Sequence, residues 1–147
     1  MLKYLINNKF IIWIVDDRIE NQIMISNSFM PINKHIILIR LNSCREFYKA
    51  VNKCKNYNRP HFIFMDYFMG EQYGTDLVEH LLDKRHLIGH PIIIGHSSNL
   101  QASEEIVRIG GDFVLEKIKG NQRSLHIEKH FNSKEALIKI INTRKLI

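Results

Sequence analysis

Four apolar runs in this chain stop at side chains that could do chemistry together. Phe10-Ile11-Ile12-Trp13-Ile14-Val15 ends in the acidic pair Asp16-Asp17. His61-Phe62-Ile63-Phe64-Met65 ends at Asp66, and Ile92-Ile93-Ile94-Gly95-His96 ends at Ser97-Ser98. Phe113-Val114-Leu115 runs into Glu116-Lys117. Three carboxylates brought to one point repel each other strongly at neutral pH. A hard divalent cation relieves that repulsion. Magnesium takes oxygen ligands and commonly keeps waters beside one or two carboxylates and a phosphate. An aspartate there can attack a phosphoryl donor as a nucleophile. Such a transfer needs mainly positioning and neutralisation of the equatorial oxygens, which a lysine ammonium and a serine hydroxyl can serve.

That chemistry requires the four run-ends to share one edge of a parallel sheet. The runs are apolar throughout and rich in β-branched residues, as strands covered on both faces are. His35 to Leu41 reads as a further strand. Helical segments alternate with these strands. Arg18 to Phe29 carries Ile19, Ile23 and Met24 as its apolar face and stops before Pro31. A helix capped by Asn42 or Ser43 carries Phe47, Val51 and Cys54 and breaks at Arg59-Pro60. A loop with Gly70 and Gly74 leads into a helix with Leu77, Val78, Leu81 and Leu82. Leu100 to Ile109 is a helix ended by Gly110-Gly111. Ser133 caps a last helix to Thr143, with Ala136, Leu137, Ile140 and Ile141 inward. Residues 118 to 132 exceed an ordinary connection, and either a loop or an extra helical turn around Leu125 to Phe131 is expected there.

Five strand–helix units in alternation predict an α/β fold: a doubly wound (βα)5 sandwich on a five-stranded parallel sheet, order 2-1-3-4-5. Ligands of such sheets bind beyond the carboxyl ends of the strands, where Asp16, Asp17, Asp66, Ser97 and Lys117 fall.

These segments together resemble the receiver domains of two-component response regulators, from about residue 10 to 145. Val15-Asp16-Asp17-Arg18-Ile19-Glu20-Asn21 is similar to the family's acidic opening. Phe62-Ile63-Phe64-Met65-Asp66-Tyr67-Phe68-Met69, with Gly74 closing its loop, resembles the phosphoacceptor strand. Ile93-Ile94-Gly95-His96-Ser97-Ser98 resembles the switch-serine strand, and Gly110 to Lys117 the strand that delivers the lysine. The resemblance implies that Asp66 is the phosphoacceptor. It implies Mg2+ held by Asp17 directly, by Asp16 largely through water, by Asp66 and by the backbone carbonyl of Phe68. It implies that Ser97 and Lys117 bond phosphoryl oxygens. The implied donor is a phosphohistidine on a histidine kinase or histidine phosphotransfer protein. The implied setting is a bacterial cytoplasm, and the product is a signalling phosphoprotein, not a conventional enzyme.

The pattern departs from the family at several positions. Ile118 follows the lysine where proline is usual. Gly70 stands for another proline. Phe68, two places past Asp66, is bulky and predicts slow self-hydrolysis. The aromatic switch position, three before the lysine, is Val114, with Phe113 one place off. Haloacid-dehalogenase-type phosphatases would need an Asp where Phe68 stands. A flavin phosphate would be repelled by Asp16-Asp17.

Length and composition bound the rest. The chain has 147 residues, 45% of them hydrophobic and 24% charged, which suits one globular domain. No run approaches the ~20 apolar residues of a membrane span. The N-terminus lacks a secretory pattern, so a cytoplasmic setting is expected. Cys44 and Cys54 are expected on one helix, reduced. The net charge of +6 is scattered, so nucleic-acid binding through the basic C-terminal third is only an alternative. No output domain is expected after the last helix. Signalling is therefore expected through protein–protein contacts, as a monomer or a phosphorylation-dependent dimer. The other alternative is a degenerate receiver acting as a phosphorylation-independent interaction module. His126 and His130 are expected to be exposed, His96 partly buried, and Trp13 in the core.

Overall fold

The computed structural model describes residues 9–117 and 122–146. β1 (Phe10–Val15) is the sheet's second strand, and all six of its residues are buried because helices cover both faces. It pairs in parallel with β2 (Ile36–Leu41) on one side and β3 (Phe62–Met65) on the other. The hairpin strands β4 (Phe68–Met69) and β5 (Gln72–Tyr73) follow β3 and pair with each other. β6 (Ile92–Gly95) and β7 (Phe113–Val114) complete a five-stranded sheet in the order β2-β1-β3-β6-β7. Counting the parallel strands alone, this is the expected order 2-1-3-4-5.

The helices are α1 (Ile19–Ser28), α2 (Cys44–Asn52), α3 (Gly74–Asp83), the short α4 (Arg85–Ile88), α5 (Leu100–Ile109), α6 (Leu125–His130) and α7 (Lys134–Thr143). Caps fix several starts. Ser43, Asn99, Ser124 and Ser133 each accept a backbone N–H three residues on, which satisfies a donor the helix itself cannot. No helix among the described residues is long and apolar enough to cross a membrane.

Strand alternation divides the core in two. Phe10, Ile12, Ile14, Phe62, Phe64 and Ile94 pack on one face with α1, α6 and α7, where Phe131 meets Phe29, Phe62 and Phe64. Ile11, Trp13, Val15, Ile63, Met65 and Ile93 pack on the other with α2, α3 and α5. Trp13 is core, as expected. Of the loop or extra helical turn expected around Leu125 to Phe131, the structure has the turn, α6.

Four expectations are corrected. Ile19 and Ile23 do not form the inner face of α1: they are 65% and 43% exposed, and Asn21, Gln22, Met24, Ile25 and Ser28 are buried instead. The polar members of that face have partners elsewhere in the chain, which a hydrophobic period does not register. Ser28 Oγ donates to Met24 O and accepts from the N–H of Ser124 at 2.7 Å. Cys54 lies beyond the end of α2, not on it. His126 and His130 are half-buried, because α6 lies against α1. His96 is fully rather than partly buried, at the end of an inner strand with the Phe64 ring edge-on 5.6 Å away.

Candidate functional site

The carboxyl ends of β1, β3, β6 and β7 open onto one cavity of about 350 Å³. Asp17, Arg18, Asn21, Asp66, Phe68, Gly70, Ser97, Ser98 and Lys117 line it. Parallel pairing brings them together: Val15 is in register with Met65, and Met65 with Gly95, so the residues that follow emerge side by side.

Asp16 is almost wholly buried at 1% exposure. One carboxylate oxygen accepts from the backbone N–H of Arg18 at 3.0 Å and from the Asn21 amide at 3.3 Å. The other accepts from Lys117 Nζ at 2.7 Å. Lys117 reaches Asp66 less closely, at 3.5 Å. The lysine, 7% exposed, therefore bridges two buried carboxylates and is nearer to Asp16. Asp17 is exposed at the mouth. One oxygen from each of Asp16, Asp17 and Asp66 can lie within 4.8 Å of the others. Three carboxylates and one ammonium leave an excess of two negative charges, with oxygen donors only. That set suits a hard divalent cation and does not suit a soft one.

Asp66 also accepts the backbone N–H of Tyr67 at 2.9 Å. Burial lifts its carboxyl from 3.8 to about 6, Lys117 opposes the rise and Asp16 adds to it. A carboxylate destabilised by its surroundings in this way is a mark of functional sites. The loop beyond Asp66 is held tightly. Gly74 N–H donates to Tyr67 O at 2.6 Å, and a Cβ at residue 74 would run into the carbonyl oxygen of Asp66. Gly74 therefore permits a backbone approach that no other residue allows. Gly70 turns the β4–β5 hairpin with φ of +67°. Phe68 is 54% exposed and rests edge-on against Tyr67 and Tyr73, forming an aromatic rim.

Ser97 is buried and lines the cavity, whereas Ser98 is exposed. Ser97 does not cap α5, since Asn99 does. The Val114 position faces α5, across from Gly95. Phe113 packs into the core on the opposite face of the sheet. Val114 and Phe113 therefore lie on opposite faces of the sheet, with Phe113 partly buried against the core. Ile118 lies outside the described residues, as does Lys119.

Sequence reasoning missed several supporting residues. Gln22 Nε2 donates to the backbone carbonyl of Asp16 at 2.6 Å and also to Asn42 Oδ1, tying α1 to the ends of two strands. Ser103, on α5, bonds the backbone of Ser97. His96 Nε2 is buried with no hydrogen-bond partner, and burial keeps the imidazole well below its usual range, with Lys117 and His126 acting the same way. His126 and His130 join no cluster of three metal-ligating side chains among the described residues.

No protein-family model and no curated protein matches the chain. Solved structures match it in fold. A two-component response regulator from Clostridium difficile has a TM-score of 0.67 at 18% identity, covering 91% of this chain and 99% of its own. The signal receiver domain of a DNA binding response regulator from Colwellia psychrerythraea gives 0.69 at 15% identity, covering 89% and 99%. A CheY-like response regulator receiver domain protein from Methanospirillum hungatei gives 0.64 at 15% identity, covering 93% and 99%. At such identities the likeness is one of fold: this chain has the receiver fold.

Proposed function

We propose that this receiver-fold chain is a phosphoacceptor, taking a phosphoryl group on Asp66 from a phosphohistidine and signalling through protein contacts. The observation that carries the reading is the convergence of Asp16, Asp17 and Asp66 on one cavity, with Lys117 Nζ 2.7 Å from Asp16 and 3.5 Å from Asp66. In the transfer, an Asp66 carboxylate oxygen forms the bond to phosphorus. The bond from phosphorus to the donor imidazole nitrogen breaks, and the nitrogen keeps the electron pair. Mg2+, bound by Asp17, Asp16, Asp66 and the Phe68 carbonyl, would neutralise phosphoryl oxygens and the carboxylates' mutual repulsion. Lys117 would turn from Asp16 toward a phosphoryl oxygen, and the Ser97 hydroxyl would donate to another. Phe68, at the rim, would shield the acyl phosphate from water.

The donor class is a histidine kinase or histidine phosphotransfer protein. The chain would act as a single receiver unit on a downstream protein, as a monomer or as a dimer formed on phosphorylation. It would be a signalling protein rather than a conventional enzyme. The test is incubation with acetyl phosphate, with and without Mg2+, read by intact mass beside an Asp66→Ala control. The expected result is a Mg2+-dependent gain of one phosphoryl group that the variant lacks. A folded protein that gains none, with several small donors, would instead be an interaction module that uses the fold without the chemistry.

A further inference from the structure

The edge of the sheet opposite Asp66 holds a second cavity, of about 320 Å³. It opens where β3 and β6 begin, and its walls are the buried side chains of Pro60, Ile88, Ile92 and Ile141. That volume is at the small end of the range for small-molecule pockets. Arg59, His61 and His90 also line it, and no lining residue is acidic. Arg59 is fixed in place by α4: its Nε donates to Leu87 O at 2.9 Å and its Nη2 to His86 O at 2.8 Å. A guanidinium has five N–H donors, so both on Nη1 and one on Nη2 remain. Those form the end-on fork that fits a carboxylate. Nearby Arg144 is neutralised by Asp112 at 2.7 Å, but Arg59 has no carboxylate partner among the described residues. His61 adds a donor. Its Nδ1 accepts the Ile11 N–H at 2.9 Å, and burial keeps the ring neutral by lowering its pKa to about 4. The ring proton is therefore on Nε2, which has no hydrogen-bond partner among the described residues. At the rim the Arg85 guanidinium meets His90 Nδ1 and brings a further positive charge.

We propose that this cavity binds a compact apolar monocarboxylate, its carboxylate paired with Arg59, its apolar body against Ile88, Ile92 and Ile141, and His61 Nε2 as a further donor. The two halves of the lining select the class together. A phosphate or a sugar would leave oxygens against isoleucine without hydrogen bonds. An uncharged hydrocarbon would leave the half-buried guanidinium without a counter-charge. The site lies at the other edge of the sheet from Asp66 and stands whether or not Asp66 takes a phosphoryl group. Its occupation is felt through His61, whose ring holds the N–H of Ile11 and whose carbonyl accepts that of Ile92 at 2.9 Å.

The experiment titrates the full chain with phenylacetate and follows the amide chemical shifts. The amides of Ile11, Gly89 and Ile92 should shift together and saturate as one site, while those of Asp66 and Ser97 stay in place. Phenylacetamide has the same shape without the charge and should bind about tenfold more weakly, because the bond to a charged group is lost. Arg59→Lys keeps the positive charge without the fork and should weaken phenylacetate by about the same factor. The absence of a saturable shift at these amides overturns the proposal. So does phenylacetamide binding as tightly as phenylacetate, since the anion is then not recognised. Inorganic phosphate binding as tightly overturns it too, since the apolar walls then contribute nothing. Undiminished binding by Arg59→Lys removes Arg59 as the anchor and the proposal with it. Should Arg59→Lys fail to fold, the comparison of phenylacetate with phenylacetamide on the wild type decides alone.

Discussion

Replacing Asp66 by Asn should stabilise the metal-free protein, by an amount that the site itself sets. The carboxyl is 7% exposed and close to Asp16, and its pKa is lifted from 3.8 to about 6. Each pH unit of difference between folded and unfolded states is worth about 1.4 kcal/mol, so the ionised folded form bears a cost of about 3 kcal/mol. The sign follows from proton binding. A carboxyl whose folded pKa is raised holds its proton better when folded. Its favourable contribution is complete below pH 3.8 and is lost as pH rises through about 6. Asn keeps the shape and carries no charge at any pH. In EDTA at pH 7.5, urea denaturation of Asp66→Asn should therefore show a gain of about 3 kcal/mol, or roughly 6–10 °C in Tm for a domain of this size. At pH 4.5 the gain should shrink to about 1 kcal/mol. Saturating Mg2+ should narrow the gap by stabilising the wild type in proportion to ligand excess. A gain independent of pH, or none at pH 7.5 in EDTA, would refute the claim that Asp66 is held ionised against its environment.

Lys117→Met should do the opposite. It leaves the Asp16 carboxylate, at 1% exposure, without its counter-charge, and breaking such a buried pair costs about 3–5 kcal/mol. Denaturation at pH 7.5 with and without Mg2+ would check this, with the metal restoring part of the loss. His61 should make stability fall on mild acidification. Its Nδ1 accepts the Ile11 N–H at 2.9 Å, and burial lowers its pKa from 6.5 to about 4. The neutral form's contribution is complete above pH 6.5 and is lost as pH falls toward about 4, a change of about 2–3 kcal/mol that His61→Gln should flatten. Phe68→Ala should shorten the lifetime of the phosphorylated protein several-fold, read by loss of the phosphoryl mass with time, because it opens the cavity rim to water. An unchanged lifetime would assign Phe68 to hairpin packing alone.

Much of the site was legible before any coordinates, because its residues lie where apolar runs end. A strand covered on both faces must be apolar along its length, so the first charged or hydroxylated residue marks where the chain leaves the sheet. Asp16, Asp66 and Ser97 carry that mark, Lys117 stands one residue beyond it at Glu116, and parallel alternation places all four at one edge. Residues acting through hydrogen bonds to partners outside their own element carry no such mark. α1 is the clearest case. Its period pointed Ile19 and Ile23 inward, yet Asn21 and Gln22 are the buried pair, since Asp16 supplies their hydrogen bonds.

Ser103 reads in the sequence as an ordinary polar residue in a helix, and its contact with the Ser97 backbone goes with a glycine eight residues earlier that lets two backbones touch. His96, too, could not be ranked as fully buried from strand alternation, which assigns a face but not what covers it. The sequence by itself determined the strand ends, their order along the chain and the charge gathered at one edge, because these depend on local hydrophobicity and chain direction. Tertiary structure alone decided that Lys117 sits nearer Asp16 than Asp66, that Val114 pairs with Gly95 while Phe113 packs against the core on the other face, and that α5 is bonded to Ser97. Each of these is settled by which atoms of remote segments come within about 3 Å, a distance at which hydrogen bonds form and local patterns carry no information.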